Sequence, residues 1–320
     1  MTALNTHGSF RVLHPGMLSL LQDSGRFGQA KLGLTSGGPT DKLAFDWLNR
    51  LLNNTNNATC IEVSFGGLIV QAQTDTVICL TGAKMDLKIN GQKQAMWTTH
   101  RVYQGQTIEL GFAEQGVKAY LGVAGGFIVS PQFSSTSTVI REKIGGLNGG
   151  SLQKGDVLDC TSGGHFQYQR HLLEQDTPQY SQEIRLRVIP GYQQRLFSRL
   201  QQRRFFSGRY QVSKQWDRMG YRLEGPAVEC KQRSMLSEGI ALGAVQIPPD
   251  GQPIVLMHDR QTIGGYPKIG SVLSLDLSRL SQCSQGASIY FEPISMDAAH
   301  NELHLAQHKF DKTKLIERPW

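Results

Sequence analysis

A mainly β protein with a few short helices is what this sequence predicts, and three observations carry the expectation. Short apolar runs recur at residues 61–65, 68–72, 77–81, 85–89, 107–112, 117–123 and 157–160, and again at 209–213, 271–277 and 287–292. Glycine pairs punctuate them (Gly37-Gly38, Gly66-Gly67, Gly125-Gly126, Gly145-Gly146, Gly149-Gly150), and 35 glycines in 320 residues suit many strands joined by tight turns. No helical period separates the runs between Cys60 and Asp159, so they read as a barrel or sandwich rather than as βαβ units.

Taken in order, residues 10–22 form two short strands about the Pro15-Gly16 turn, and residues 22–41 form a long glycine-rich loop that carries Gln22, Asp23, Arg26 and Asp41. Long irregular segments inside compact domains tend to be functional. Leu43, Ala44, Trp47, Leu48 and Leu51 then recur at helical spacing, with Thr40 or Asp41 as N-cap and Asn53-Asn54 as the stop. Asn90-Gly91 signals a hairpin. Residues 161–182 are polar and glutamine-rich and read as a linker. A second β segment opens at Ile184, residues 194–206 have helical spacing, and the tail from Ser295 forms a short helix through Ala299, Leu303 and Ala306. The expected division is 1–165, 183–295 and a tail at 296–320.

Hydrophobic residues make up 39% of the chain and charged ones 18%, which places it among ordinary globular proteins and excludes disordered and fibrous classes. The net charge of +7 is compatible with anionic ligands without specifying one. Arginines interleaved with aromatics at 194–206 suit a solvated helix face, since no nucleic-acid-binding module surrounds them. Five cysteines without a CxxC pair suggest buried free thiols in a reducing compartment. With no signal-peptide h-region and no apolar stretch near ~20 residues, a cytoplasmic protein without membrane or nucleic-acid partners is expected.

Three polar clusters carry the chemistry. In the stretch Gln246–Gly270 the apolar run Ile254-Val255-Leu256-Met257 ends against His258, Asp259, Arg260, Gln261 and Thr262, followed by Gly264, Gly265 and Tyr266. Donors and acceptors crowded at a strand end are poorly placed for packing and well placed for a ligand. Residues 216–225 add Asp217, Arg218 and Arg222, whose guanidinium forks suit carboxylate or phosphate. The loop 22–41 is the third. Other features carry less. His300, His304 and His308 share a helix face but lack the glutamate spacing of a zinc protease motif. The glycines of 145–150 make a turn, no GxxxxGK[ST] is present, and Lys84-Met85 lacks the context of a biotinyl lysine.

With these residues assembled, the chain resembles the biotin-dependent carboxyltransferase-like family over residues 9–293. The motifs are QDSGRFGQAKLGLTSGGPTD (22–41), NRLLNN (49–54), AYLGVAGGFIV (119–129), GGLNGGSLQKGDVL (145–158), DRMGYRLEG (217–225) and GAVQIPPDGQPIVLMHDRQTIGGYPKIG (243–270). That family includes the C component of 5-oxoprolinase, the antagonist of kinase inhibitor, allophanate hydrolase subunit 2 and the carboxyltransferase region of urea carboxylase. The resemblance implies two cyclophilin-like β-barrel domains. It also implies one component of an ATP-dependent 5-oxoprolinase, acting with a smaller B component and a separate A component on a small amide, with ATP bound within the complex. The alternatives it leaves are a biotin-dependent carboxyltransferase component, whose biotin would sit on another chain, and a non-catalytic antagonist that binds a kinase inhibitor. By the same resemblance Asp23, Arg26, Arg218, Asp259 and Arg260 would be catalytic, and Gln22, Asp41, Arg222, Gln246, Gln261, Thr262 and Tyr266 would bind substrate; no metal is implied. Two departures stand out. Ser134 and Thr136 occupy the Gly and Arg positions of a Gly-Ser-Arg-Ser-Thr run, and Gly191-Tyr192-Gln193 stands where relatives commonly carry Gly-Pro-Gln.

Overall fold

The computed structural model describes residues 7–161, 167–232 and 234–320. Its contacts divide the chain into two compact units: Met1–Phe27, Gly37–Gln179 and Lys314–Trp320 form one, and Gly28–Ser36 with Tyr180–Thr313 the other. The segment expected as a separate tail is therefore shared between them. Part of the expected linker, residues 162–166, lies outside the described residues; Tyr168–His171, from its remainder, is a strand.

In the first unit, β1 (His7–Pro15), β2 (Leu18–Gln22), β3 (Cys60–Ser64), β4 (Leu68–Ala72), β5 (Thr76–Lys84), β6 (Leu87–Ile89), β7 (Gln92–Gln94), β8 (Thr99–Val102), β9 (Thr107–Leu110), β10 (Gln115–Val123) and β11 (Val157–Thr161) make two sheets. Their orders are β11-β1-β4-β9-β6-β7 and β2-β3-β10-β5-β8. Alternate residues of both sheets meet in one core, among them Phe10, Val12, Val63, Val70, Leu80 and Leu121. The Asn90-Gly91 hairpin signal is borne out: both residues have positive φ, 48° and 76°, and join β6 to β7 as a type I′ turn requires. The helix α1 (Lys42–Leu51) starts where expected, capped by Asp41 accepting from the Ala44 N–H at 3.1 Å. β12 (Tyr168–His171) pairs with the returning Ile316–Pro319.

The second unit is a closed barrel. Its strands are β13 (Glu183–Pro190), β14 (Arg209–Trp216), β15 (Gly220–Glu224), β17 (Ala244–Gln246), β18 (Ile254–Leu256), β20 (Lys268–Val272) and β21 (Ser288–Pro293), in the order β13-β20-β17-β18-β15-β14-β21. β16 (Glu238–Gly239) and β19 (Ile263–Gly264) form a separate two-stranded ribbon. The barrel interior holds Leu186, Val188, Tyr221, Leu223, Val245, Val255 and Ile289. The mainly-β expectation thus holds, with one unit a pair of sheets around a core and the other a closed barrel.

Three elements differ from the sequence reading. The expected strand 271–277 is the end of β20 followed by helix α3 (Ser274–Leu280). Alternation of Leu273, Leu275 and Leu277 mimics a strand, whereas Leu273, Leu277 and Leu280 are the buried residues and follow helical spacing. The expected helix 194–206 is broken: Tyr192–Leu196 is a 3₁₀ turn, Phe197 is extended, and Ser198 caps a new helix α2 (Arg199–Ser207) through the Gln201 N–H. The tail helix is long, α4 (Met296–Lys312), and Glu302 on it meets Arg187 of β13, which also grips the buried Asp276 of α3 bidentately. His300, His304 and His308 are exposed along it.

Ser134, which fills a glycine position in the resemblance, sits under strain. Gln132 and Ser135 close a two-residue hairpin in which Phe133 (φ 52°) and Ser134 (φ 64°) both lie in the left-handed region. That conformation is costly for a residue with Cβ. Ser134→Gly is expected to stabilise the chain by about 0.5–1 kcal/mol, net of the entropy glycine adds to the unfolded state, as read from denaturant midpoints.

Candidate functional site

The outer face of the barrel supplies a groove by strand alternation. Tyr221 and Leu223 of β15 point into the core, so Gly220 and Arg222 face outward; Val255 of β18 points in, so Ile254 and Leu256 face out. Register then sets Arg222 opposite Ile254, and Ile254 opposite Gln246 of β17. These residues with Lys214, Trp216, Asp217, Ile240, Arg260 and Gln261 line a groove of about 550 Å³.

The turns at its mouth are rigid. The Asp217 carboxylate accepts from the Met219 and Gly220 N–H groups and so shapes the β14–β15 hairpin. It pairs with neither neighbouring arginine. Arg218 instead reaches Asp259, Nε to Oδ2 and Nη2 to Oδ1, both at 2.9 Å, with both side chains buried. Asp259 N–H also donates to the Arg218 carbonyl at 2.8 Å, and Met257 N–H to that of Met219. The pair fastens the hairpin to the segment after β18, and neither member lines the groove. Arg222 pairs with Asp250.

Arg260 is half-buried. Its Nε donates to the Ile240 carbonyl at 3.1 Å and Nη1 to that of Met257 at 3.3 Å. Burial pulls its pKa below the usual arginine value, and the Asp259 charge opposes that pull. Two donors fix the fork, leaving others of its five N–H groups to face the groove. Gln246 is buried at the groove floor and Gln261 is exposed at its edge. Thr262 and Tyr266, expected to bind substrate, are not among the groove-lining residues: the Thr262 carbonyl accepts from Ile240, and Tyr266 is exposed beside the β16–β19 ribbon.

The residues expected from the loop 22–41 do different work. All four are buried in the first unit. Gln22 bridges the Thr138 carbonyl and the Gly38 N–H. Asp41 caps α1, and its own N–H donates to Tyr120. The Asp23 carboxylate accepts from the Ser135 and Ser137 hydroxyls, both at 2.6 Å, and from the Thr136 and Gly25 N–H groups. Arg26 donates to the carbonyls of Gln132 and Ser137. Together they tie the loop to the segment 132–138 within the first unit. Burial raises the Asp23 pKa, but the bonds from Ser135, Ser137, Thr136 and Gly25 outweigh it and hold the carboxyl below its usual 3.8. A depressed carboxylate adds stability above its unfolded value and loses it as pH falls through the folded one. Unfolding midpoints across about pH 2–5 should therefore rise less steeply with pH in Asp23→Asn than in the wild type.

Sequence reasoning missed Lys214 of β14, which sits past the expected strand end at 213, and included Trp216 only as the first residue of the 216–225 cluster. It also missed Glu62, whose carboxylate accepts from Thr40 N–H, Thr40 Oγ1 and Tyr120 OH inside the first unit. A glutamate amid the apolar run CIEVSF was the available signal. Burial, then Glu62 and Asp41, push the Tyr120 hydroxyl well above 10.0. The cysteines are free and four are buried, and burial chiefly raises the Cys160 and Cys283 thiols to about 12. Among the described residues no group of acidic, histidine or cysteine side chains could hold a metal, and no helix is long and apolar enough to cross a membrane.

A closed barrel bearing a cationic, amide-edged groove, joined in one chain to a two-sheet β unit, defines a mainly β protein of two units. The model of the family described as carboxyltransferase domain, subdomain A and B, matches residues 32–293, and the chain belongs to that family. It is 37% identical over 295 residues to the C component of 5-oxoprolinase from Haemophilus influenzae, covering 90% of this chain and 93% of that one. To the same component from Escherichia coli it is 36% identical over 306 residues, covering 94% and 96%. Among solved structures, the K. lactis urea amidolyase superposes with a TM-score of 0.89 at 25% identity over 98% of this chain, which spans only 20% of that longer protein.

Proposed function

We propose that this chain serves as the C component of a multi-subunit 5-oxoprolinase, which opens 5-oxo-L-proline to L-glutamate at the expense of ATP together with components of the A and B type. The observation that carries the reading is similarity to the C components of two 5-oxoprolinases over more than nine-tenths of their length. Five unpaired cysteines suit the reducing cytoplasm as its location.

The groove supports the reading chemically. Opening an unstrained lactam places negative charge on the former carbonyl oxygen, and fixed cations stabilise such charge without reorganising. Arg260 and Arg222 supply them, Gln246 and Gln261 offer amide donors and acceptors, and Trp216, Ile254 and Leu256 exclude water from one wall. The nucleotide does not fit the glycine loop at 145–150. A Cβ on Gly145 would lie 1.9 Å from the Ser137 carbonyl oxygen and one on Gly149 2.3 Å from Lys143 backbone, so these glycines allow the chain to pack on itself rather than on a phosphate.

The test is reconstitution of the purified chain with its A-type and B-type partners. ATP-dependent glutamate release from 5-oxo-L-proline is expected, and its absence would remove the reading. The likeness to K. lactis urea amidolyase favours a second reading, carboxyl transfer from biotin carried on another chain. The groove's apolar wall and its glutamines would then hold the biotin ring. Activity blocked by avidin would favour it; indifference to avidin would exclude it.

A further inference from the structure

A second hollow, of about 270 Å³, opens on the same barrel. Ile240 lines the groove while its neighbours Gly239 and Ala241 line the hollow, so this short segment separates the two. Its emptiness has a sequence origin. Ile269 of β20 packs into the barrel core, and the flanking Lys268 and Gly270 line the hollow instead. Gly270 must lack a side chain, because a Cβ there would lie 2.5 Å from the Ile189 carbonyl oxygen. A Cβ on Gly239 would meet nothing within 4 Å, so a larger residue there would project into unoccupied space.

Polar groups converge on this space in a closed circuit. Glu238 accepts from the Lys268 ammonium, the Gln193 amide and the Tyr192 hydroxyl. The Gln193 Oε1 in turn accepts from the Lys268 N–H at 2.8 Å. Lys268 is only 13% exposed although it lies on the outside of a barrel strand. An ammonium has three donors, and Glu238 takes one; a carboxylate has about four acceptor sites, and three are filled. The circuit is charge-balanced, so a simple anion would be drawn to Lys268 and repelled by Glu238. A molecule carrying both a carboxylate and an N–H satisfies both walls at once. The volume lies at the small end for ligand pockets and suits an acid of amino-acid size.

We propose that this hollow binds a small carboxylic acid that also bears an amide N–H, with Lys268 holding the carboxylate, Glu238 accepting from the N–H, and Tyr192 and Gln193 fixing Glu238. Only the choice of 5-oxo-L-proline as the probe rests on the proposed function. Calorimetric titration of the intact chain is the test. 5-oxo-L-proline should bind at least about tenfold more tightly than pyrrolidinone, which lacks the acid, or cyclopentanecarboxylate, which lacks the N–H; lost charge-assisted bonds of this kind are each worth about a factor of ten or more. Lys268→Gln and Gly239→Leu should each weaken binding by at least about tenfold. Gly239→Leu obstructs the hollow without touching its polar circuit, so it decides the matter even where Lys268→Gln fails to fold. Absence of binding overturns the proposal, as does binding indifferent to Gly239→Leu. Turnover of 5-oxo-L-proline by the reconstituted complex, beside a titration indifferent to Gly239→Leu, would overturn the hollow while sparing the proposed function. A wild-type complex without turnover would remove that function, and the titration would then judge the hollow alone.

Discussion

Asp259→Ala is expected to destabilise the barrel by about 3–5 kcal/mol, because it leaves the Arg218 guanidinium buried without its counter-charge. The ion pair is bidentate and almost wholly removed from solvent, so screening by water and salt gives little relief. The same pair clamps the β14–β15 hairpin to the turn after β18, where backbone bonds from Asp259 to Arg218 and from Met257 to Met219 run alongside it. Denaturant unfolding of Asp259→Ala, with hydrogen exchange read at β15 and β18, measures the effect. The double variant Arg218→Met with Asp259→Leu should recover most of the loss, since replacing both partners removes the orphaned charge as well as the attraction. Losses that simply add would show that the two residues act independently.

The second large effect is on activity. Arg260→Gln should lower kcat/KM of the reconstituted complex by about 10²–10³, the usual consequence of deleting one fixed donor to a developing anion. Arg260 reaches the groove from a segment already held by its bonds to the Ile240 and Met257 carbonyls, so its fork is oriented before any ligand arrives. Arg260→Lys keeps the charge but not the planar fork, and should fall between the two. Steady-state kinetics on variants with unchanged unfolding midpoints would check this.

The β content, the start of α1 and the Asn90-Gly91 hairpin were legible in the sequence because each rests on local chemistry: alternation, a cap residue, and two positions tolerant of positive φ. The α3 misreading came from a heptapeptide, SVLSLDL, whose leucines satisfy both periods, so that tertiary burial of Leu277 and Leu280 decides. Among candidate site residues, Arg222, Gln246, Arg260 and Gln261 do converge on one groove. Arg218 and Asp259 come together as well, though with each other. The loop residues Gln22, Asp23, Arg26 and Asp41 looked chemical because they are polar and clustered, yet their partners, Ser135, Ser137, Thr138 and Tyr120, lie some eighty to more than a hundred residues away. Spacing along a chain cannot distinguish a carboxylate that faces a ligand from one that receives four internal donors. Glu238 and Lys268 escaped notice for the same reason, since β16 and β20 bring them to Tyr192, which the sequence singled out only as a departure from Gly-Pro-Gln.

Under the proposed function, chemistry belongs to the barrel groove and the buried loop residues hold structure. Comparing kcat/KM for 5-oxo-L-proline in complexes carrying Arg260→Gln or Asp23→Asn, each at equal folded fraction, tests that division most directly. A loss of about 10²–10³ is expected for Arg260→Gln and of less than about tenfold for Asp23→Asn. A folded Asp23→Asn complex without turnover, beside an Arg260→Gln complex with nearly full activity, would contradict it.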